Sequence, residues 1–261
     1  MDWIIVAIAG FLGGLLNAVA GGGSFITLPA LIAIGVPPIV ANATGTAALL
    51  PGYIASAWRF RKDVELPASL SFIHIVILAI AGGFAGAMIL LMSSEQLFSR
   101  LIPWLILFAT LAFVVGPIVI KNKVQKKQIN KHNTPLSSET KWQQTFGISS
   151  ILLVLCIYGG YFNGGLGIIV LAALTFIGQT NIHGMNGLKN VLSAILTAVA
   201  VSVYAAGNTI SVRYLLVLGV AALFGGYLGA AAAYRISQQH LRIFIVSVGF
   251  IMSALFFYKT T

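Results

Sequence analysis

The sequence is poor in charge and poorest in acid. Only 8% of its 261 residues are charged, and the acidic ones are Asp2, Asp63, Glu65, Glu95 and Glu139. All five fall at the ends of apolar runs or between them. No carboxylate is therefore placed inside a long apolar segment to bind a hard cation or relay protons, and metal binding is disfavoured for the same reason. The lone cysteine, Cys156, has no partner for an intramolecular disulfide. Also missing are a G-x-x-x-x-G-K-[ST] loop, an H-E-x-x-H helix and any Ser-His-Asp set with an intramembrane acid. These absences exclude ATP-driven pumping by this chain alone, and they leave no basis for an enzyme, a metal site or a cofactor.

Apolar residues are what the chain has in abundance. They make up 59% of it, and the mean hydropathy is +0.98. A soluble domain of this length needs more polar surface than that, so lipid must be the main solvent. The 56 residues between Asp2 and Arg59 carry no formal charge, nor do the 47 between Lys141 and Lys189, whereas about 20 apolar residues suffice for one helical crossing. Several crossings are expected. The first apolar run is long and lacks a basic leader, so no cleaved signal peptide is expected. The net charge of +10 is gathered in loops, as membrane orientation requires, and does not indicate nucleic acid.

Breaks in hydrophobicity give apolar segments near 3–34, 38–58, 67–91, 97–120, 143–177, 182–206, 212–234 and 241–258. This predicts two four-segment repeats, 1–120 and 143–261, joined by a basic cytoplasmic linker over 121–142. The repeats are related in sequence. Gly82-Gly83-Phe84-Ala85-Gly86-Ala87 recurs 143 positions later as Gly225-Gly226-Tyr227-Leu228-Gly229-Ala230, and Gly13-Gly14-Leu15-Leu16-Asn17 recurs as Gly159-Gly160-Tyr161-Phe162-Asn163. The expected fold is all-α, a polytopic membrane protein of about eight transmembrane helices whose first helix in each repeat is broken by glycine. The alternative is five elements per repeat, with the first segment doubling back as a hairpin and the repeats inverted. Eight crossings are preferred because residues 24–34 are too short to span alone. Positive charge does not separate the two, since either puts 11 of the 15 Lys and Arg on one side.

Candidate chemistry lies where polar residues interrupt apolar segments. Asn17, Gly21, Gly22, Gly23, Ser24, Thr27 and Pro29 form one such interruption, and Asn163, Gly164, Gly165 and Gly167 form its counterpart. Three consecutive glycines weaken a helix by roughly 1 kcal/mol each, and broken backbone at membrane depth persists only when buried in protein or lining a wet cavity. Paired interruptions of this kind point to a transporter's binding site. Close helix packing is the plainer explanation for Gly82, Gly83, Gly86, Gly225, Gly226 and Gly229, within one protomer or between two of a homodimer.

The second segment of each repeat opens with a helix-start signal and polar residues: Asn42, Thr44 and Thr46 in the first, Asn186, Lys189 and Asn190 in the second. Helix starts attract anions. Lys189 is the strongest clue, because an ammonium in a long uncharged segment normally faces a polar cavity and has a partner. Snorkelling to the interface is the plainer alternative. With no intramembrane carboxylate to pair with it, the simplest counter-ion is a small anionic substrate. His74, in an apolar helix, reads as a hydrogen-bonded packing residue.

The G-G-L-L-N-x-x-x-G-G-G-S-x-x-x-x-P of residues 13–29, the A-N-A-T-G-T of 41–46 and the N-G-L-K-N of 186–190 resemble the sulfite exporter TauE/SafE family of bacterial membrane permeases over nearly the whole chain. The resemblance implies a multi-pass protein of the bacterial inner membrane that moves sulfite, sulfonates or sulfoacetate. It also implies a pathway lined by Asn17, Gly22, Ser24, Asn42, Thr44, Thr46, Asn186 and Lys189. The second glycine stretch departs from the pattern, being shorter and lacking a match for Pro29.

Overall fold

A computed structural model describes residues 2–62, 64–67, 70–129, 138–179, 181–232 and 238–260. Among the described residues there are ten helices and no strand. The first half holds α1 (Asp2–Ala20), α2 (Ser24–Ala33), α3 (Pro38–Phe60), α4 (Phe72–Met92) and α5 (Glu95–Ile129). The second holds α6 (Ser138–Tyr161), α7 (Leu166–Phe176), α8 (Ile182–Ala206), α9 (Val212–Ala232) and α10 (Gln238–Thr260). By length and composition, Phe72–Met92, Glu95–Ala112 and Gly184–Ala206 are long and apolar enough to cross a membrane, and the shorter apolar helices include Asp2–Ala18, Thr145–Tyr161 and Val212–Leu228.

The first segment of each half breaks where glycine was expected to break it, and it then folds back. Gly21 takes φ +74°, a conformation that costs glycine little, and α2 returns along α1. In a continuous helix Gly13 and Thr27 would be about 21 Å apart, yet a Cβ on Gly13 would lie only 2.6 Å from Thr27 Cγ2. In the second half the turn between α6 and α7 uses Asn163 at φ +63° and Gly165 at φ +70°. The first segments are therefore helical hairpins, and each half has five helices among the described residues. At 10 and 11 residues, α2 and α7 are about 15–16 Å long, short of a bilayer's width, so length alone did not foretell the reversal.

The linker placed at 121–142 is helical through Ile129 and again from Ser138, in keeping with the helix propensity of its Lys and Gln residues. Residues 130–137, with their Lys131, lie outside the described residues.

The halves interleave. α1 packs along α9 and α6 along α4, so the first helix of each half lies against the fourth of the other. Glycine makes both approaches: a Cβ on Gly14 would strike the Ala222 carbonyl, one on Gly225 the Phe11 carbonyl, and one on Gly160 the Gly83 carbonyl. Gly82, Gly83, Gly86 and Gly225 are thus spent on packing inside one chain. The equivalent helices α3 and α8 run antiparallel. Beyond the end of α3, Glu65 N–H donates to Gly184 O near the start of α8 (3.4 Å), and beyond the end of α8, Ser211 N–H donates to Thr44 Oγ1 near the start of α3 (3.0 Å).

Candidate functional site

The two hairpin turns meet. A Cβ on Gly21 would come within 3.3 Å of Gly167 Cα, so the interrupted backbone of each half lies against that of the other. Each turn is buried and braced. Gly23 is packed so closely on Gly13, Leu49 and Asn17 that a Cβ there would sit 2.6 Å from Gly13 O and 2.9 Å from Leu49 Cδ1. In the second turn Tyr158 OH donates to Gly164 O at 2.6 Å, and Tyr204 OH donates to Gly160 O. These hydroxyls satisfy carbonyls that the broken helix cannot, as buried backbone requires.

The paired asparagines differ in their partners. Asn163 is fully engaged: Tyr53 OH donates to its Oδ1 at 3.3 Å, and its Nδ2 donates to Thr197 Oγ1 at 3.1 Å. Asn17 lies beside Gly23 and Gly52, and its Oδ1 is buried without a partner. Three more buried hydroxyls, Thr27, Thr46 and Tyr161, also lack one. Thr27 Oγ1 sits over the helix of Thr46, 3.0 Å from where a Cβ on Gly45 would be. A buried polar group left unpaired costs about 1–3 kcal/mol, so each of these groups calls for an explanation.

Helical spacing puts further polar residues on the same faces. On α8, Asn186, Asn190, Ser193 and Thr197 recur at intervals of four, three and four, which is one face of a helix. The face of α3 at 42, 46, 49 and 53 carries Asn42, Thr46, Leu49 and Tyr53. Asn42 Nδ2 donates to Tyr161 O (3.1 Å), which ties that face to the second turn. Asn42, Thr46, Asn190 and Ser193 are buried, and Ser193 Oγ has no partner. Lys189 is half-buried beside this stripe, two helical turns and about 12 Å from Thr197. Among the described residues no carboxylate lies within ion-pair distance of it. Gly22 and Ser24 are buried in and after the first turn, while Thr44 is occupied in holding Ser211 N–H.

Each of the two helix starts has one of the chain's own carboxylates beside it, bonded directly to a backbone N–H at α3 and to the capping Asn181 side chain at α8. Ile39 N–H at the start of α3 donates to Glu95 Oε2 at 3.0 Å. Before α8, Asn181 Nδ2 donates to Glu65 Oε2 at 2.6 Å, and Gln179 Nε2 donates to Glu65 O at 2.9 Å. Both carboxylates come from distant segments, which is why spacing along the chain did not reveal them. His74 is hydrogen-bonded as expected, its Nδ1 lying 3.4 Å from Ser71 Oγ, but it is not packed inside the fold. It sits exposed in the first turn of α4, where its N–H donates to the N-cap Ser71 Oγ. Among the described residues no three His, Cys, Asp or Glu side chains gather as a metal site.

Sequence reasoning passed over Tyr53, Thr197, Ser193 and the hydroxyl of Tyr161. The signal for the first three was present in the four- and three-residue spacing from Thr46 and Asn190, but a tyrosine or serine in an apolar helix reads as packing until its neighbours are known.

Comparison with known proteins adds a lineage to this geometry. The family described as Sulfite exporter TauE/SafE matches residues 6–256. A probable membrane transporter protein of Haemophilus influenzae is 26% identical over 255 residues, covering 96% of this chain and 92% of its own length. The probable membrane transporter protein YfcA of Escherichia coli (strain K12) is 23% identical over 256 residues, covering 95% and 87%. One from Xylella fastidiosa is 26% identical over 248 residues, covering 91% and 87%.

Proposed function

The chain belongs to the sulfite exporter TauE/SafE family, and from that premise we propose that it is a secondary transporter of a small anion, a sulfur oxyanion or organosulfonate such as sulfite or sulfoacetate. That it belongs with membrane transporters rests on the family and on relatives so named. The observation that carries the finer reading is the contact of the two hairpin turns at Gly21 and Gly167, ringed by buried Asn, Thr and Tyr groups of which several lack partners. Broken helices that face each other across a repeat interface are how secondary transporters build a substrate site, and rocking of one half against the other then exposes it alternately.

In this reading the chain is a multi-pass protein of the bacterial inner membrane, with two inverted five-helix repeats about a basic linker. The antiparallel run of α3 and α8 supports that arrangement. The end of α3 carries Arg61 and Lys62, the end of α5 carries Lys121, Lys123, Lys126 and Lys127, and Lys131 and Lys141 follow before and at the start of α6. The positive-inside bias puts this face in the cytoplasm and both chain ends on the other. Because Gly82, Gly83, Gly86 and Gly225 are packed inside one chain, a homodimer would associate through other surfaces. Substrate oxygens would accept from the hydroxyls and amides at the turns, and Lys189 would supply charge.

The test is flux of labelled sulfite, sulfate, taurine and sulfoacetate in proteoliposomes, wild type against Lys189→Met. Saturable flux of a sulfur anion, lost in the variant, is the expected result. Flux unaltered by the substitution removes Lys189 from the site, and no flux of any of the four removes the sulfur-anion reading.

A further inference from the structure

The charge inventory around the hairpin turns restricts what can be carried. Among the residues whose side chains are described, Lys189 is the one cation that is not exposed. Arg61 and Arg213 lie over the rings of Trp58 and Trp3, at 4.1 and 4.6 Å from the ring centroids, and Lys62 and Arg100 are exposed at helix ends. The start of α3, which could have added positive potential, is taken by Glu95, and at the start of α8 Gly184 N–H donates to Asn181 Oδ1, whose own Nδ2 donates to the Glu65 carboxylate. What remains toward the turns is neutral: the unpartnered hydroxyls of Thr27, Thr46, Tyr161 and Ser193, each able to donate one hydrogen bond.

Resting on the transporter reading above, we infer that the site binds its cargo as a monoanion and rejects doubly charged anions of the same size. One ammonium and a set of neutral donors offset one negative charge. A second charge would have to leave water with nothing of opposite sign to meet it, and an uncompensated buried charge is among the most unfavourable arrangements available to a protein. A sulfonate or hydrogensulfite meets the requirement, whereas sulfate and the sulfite dianion do not. Neutral donors also bind less tightly than a cluster of arginines, which suits a site that must release its cargo on the far side.

Methanesulfonate and sulfate test this directly, because they share a tetrahedral sulfur and nearly the same size but differ by one charge. Their saturable flux is measured with the full chain in proteoliposomes, with the membrane potential clamped at zero so that the extra charge gains no driving force. The expected result is at least a tenfold preference in transport efficiency for methanesulfonate. Sulfite flux should rise as the pH is lowered and its hydrogensulfite fraction grows, while methanesulfonate flux stays level. Equal flux of the two probes, or faster flux of sulfate, overturns the inference while leaving anion transport intact. Sulfite flux that does not change with pH also overturns it. Absence of saturable flux for every anion sinks the transporter reading itself, and this inference with it.

Discussion

Tyr53 of α3 reaches across the repeat boundary to Asn163, its hydroxyl donating to Oδ1 at 3.3 Å, and Asn163 relays the contact through Nδ2 to Thr197 of α8 at 3.1 Å. Two equivalent helices, one from each half, are thereby joined through a turn residue held in the left-handed region at φ +63°. Tyr53→Phe keeps the ring and deletes the link, leaving a buried acceptor short of one donor. Loss of about 1–3 kcal/mol of stability is expected, read as a lowered melting temperature in detergent. An unchanged melting temperature would show that the contact contributes nothing to holding the halves together.

Asn163 itself separates backbone strain from side-chain bonding. Asn163→Ala loses both hydrogen bonds and puts an alanine where φ is positive, whereas Asn163→Gly loses the bonds but fits the backbone. The glycine variant should be the more stable by roughly 1 kcal/mol, measured by thermal unfolding. If the two are equally destabilised, the turn has relaxed out of its left-handed conformation.

At Lys189 charge and shape can be told apart. If Lys189 supplies charge to the substrate as proposed, Lys189→Arg should retain more transport than Lys189→Met; more than a tenfold loss in the methionine variant is expected, about 1.4 kcal/mol. Equal initial rates for the two variants in proteoliposomes would mean that this side chain only reaches for the interface.

The interleaved packing predicts a contrast between glycines. Gly14→Ala drives a methyl into the Ala222 backbone, and neither helix can yield cheaply, so a loss of about 1–3 kcal/mol is expected. Gly147→Ala, in α6 with nothing within 4 Å, should be neutral or gain up to about 1 kcal/mol from helix propensity. The yield of monodisperse protein after heating ranks the two. Equal ranking would refute the close approach of α1 and α9.

Glu95 offers a further check. Its carboxylate accepts from Ile39 N–H, so Glu95→Ala leaves the start of α3 uncapped and should cost about 0.5–2 kcal/mol. A melting temperature equal to wild type would show that water replaces the carboxylate without loss.

Much of the fold was written in long-range patterns of the sequence. Apolar runs, the 143- and 146-residue offsets and the glycine clusters all act through local chemistry, so they give helices, a duplication and the places where helices stop. The reversal after Gly23 was less legible, because a 10-residue helix is too short to count as a crossing and its direction is set by where Thr27 packs, against Gly13 and Gly45. The asparagine pair and Lys189 stood out as polar groups in apolar surroundings. Tyr53 and Thr197 did not, since their importance comes from Asn163, 110 and 34 residues away. The carboxylates at the helix starts were hidden for the same reason, Glu95 meeting Ile39 across 56 residues and Glu65 meeting Asn181 across 116.

The seating of α1 against α9 has a consequence for how the molecule is made. Gly14 is synthesised about two hundred residues before the Ala222 backbone on which it closes, an interval of roughly 10–40 s at 5–20 residues per second. For that time the first helix stands in lipid with its glycine groove open, and it cannot settle until nearly the whole chain has emerged. A ribosome that stops short of α9 therefore leaves behind a fragment whose groove marks it as unfinished, which gives membrane quality control a chemical feature by which to tell incomplete chains from complete ones.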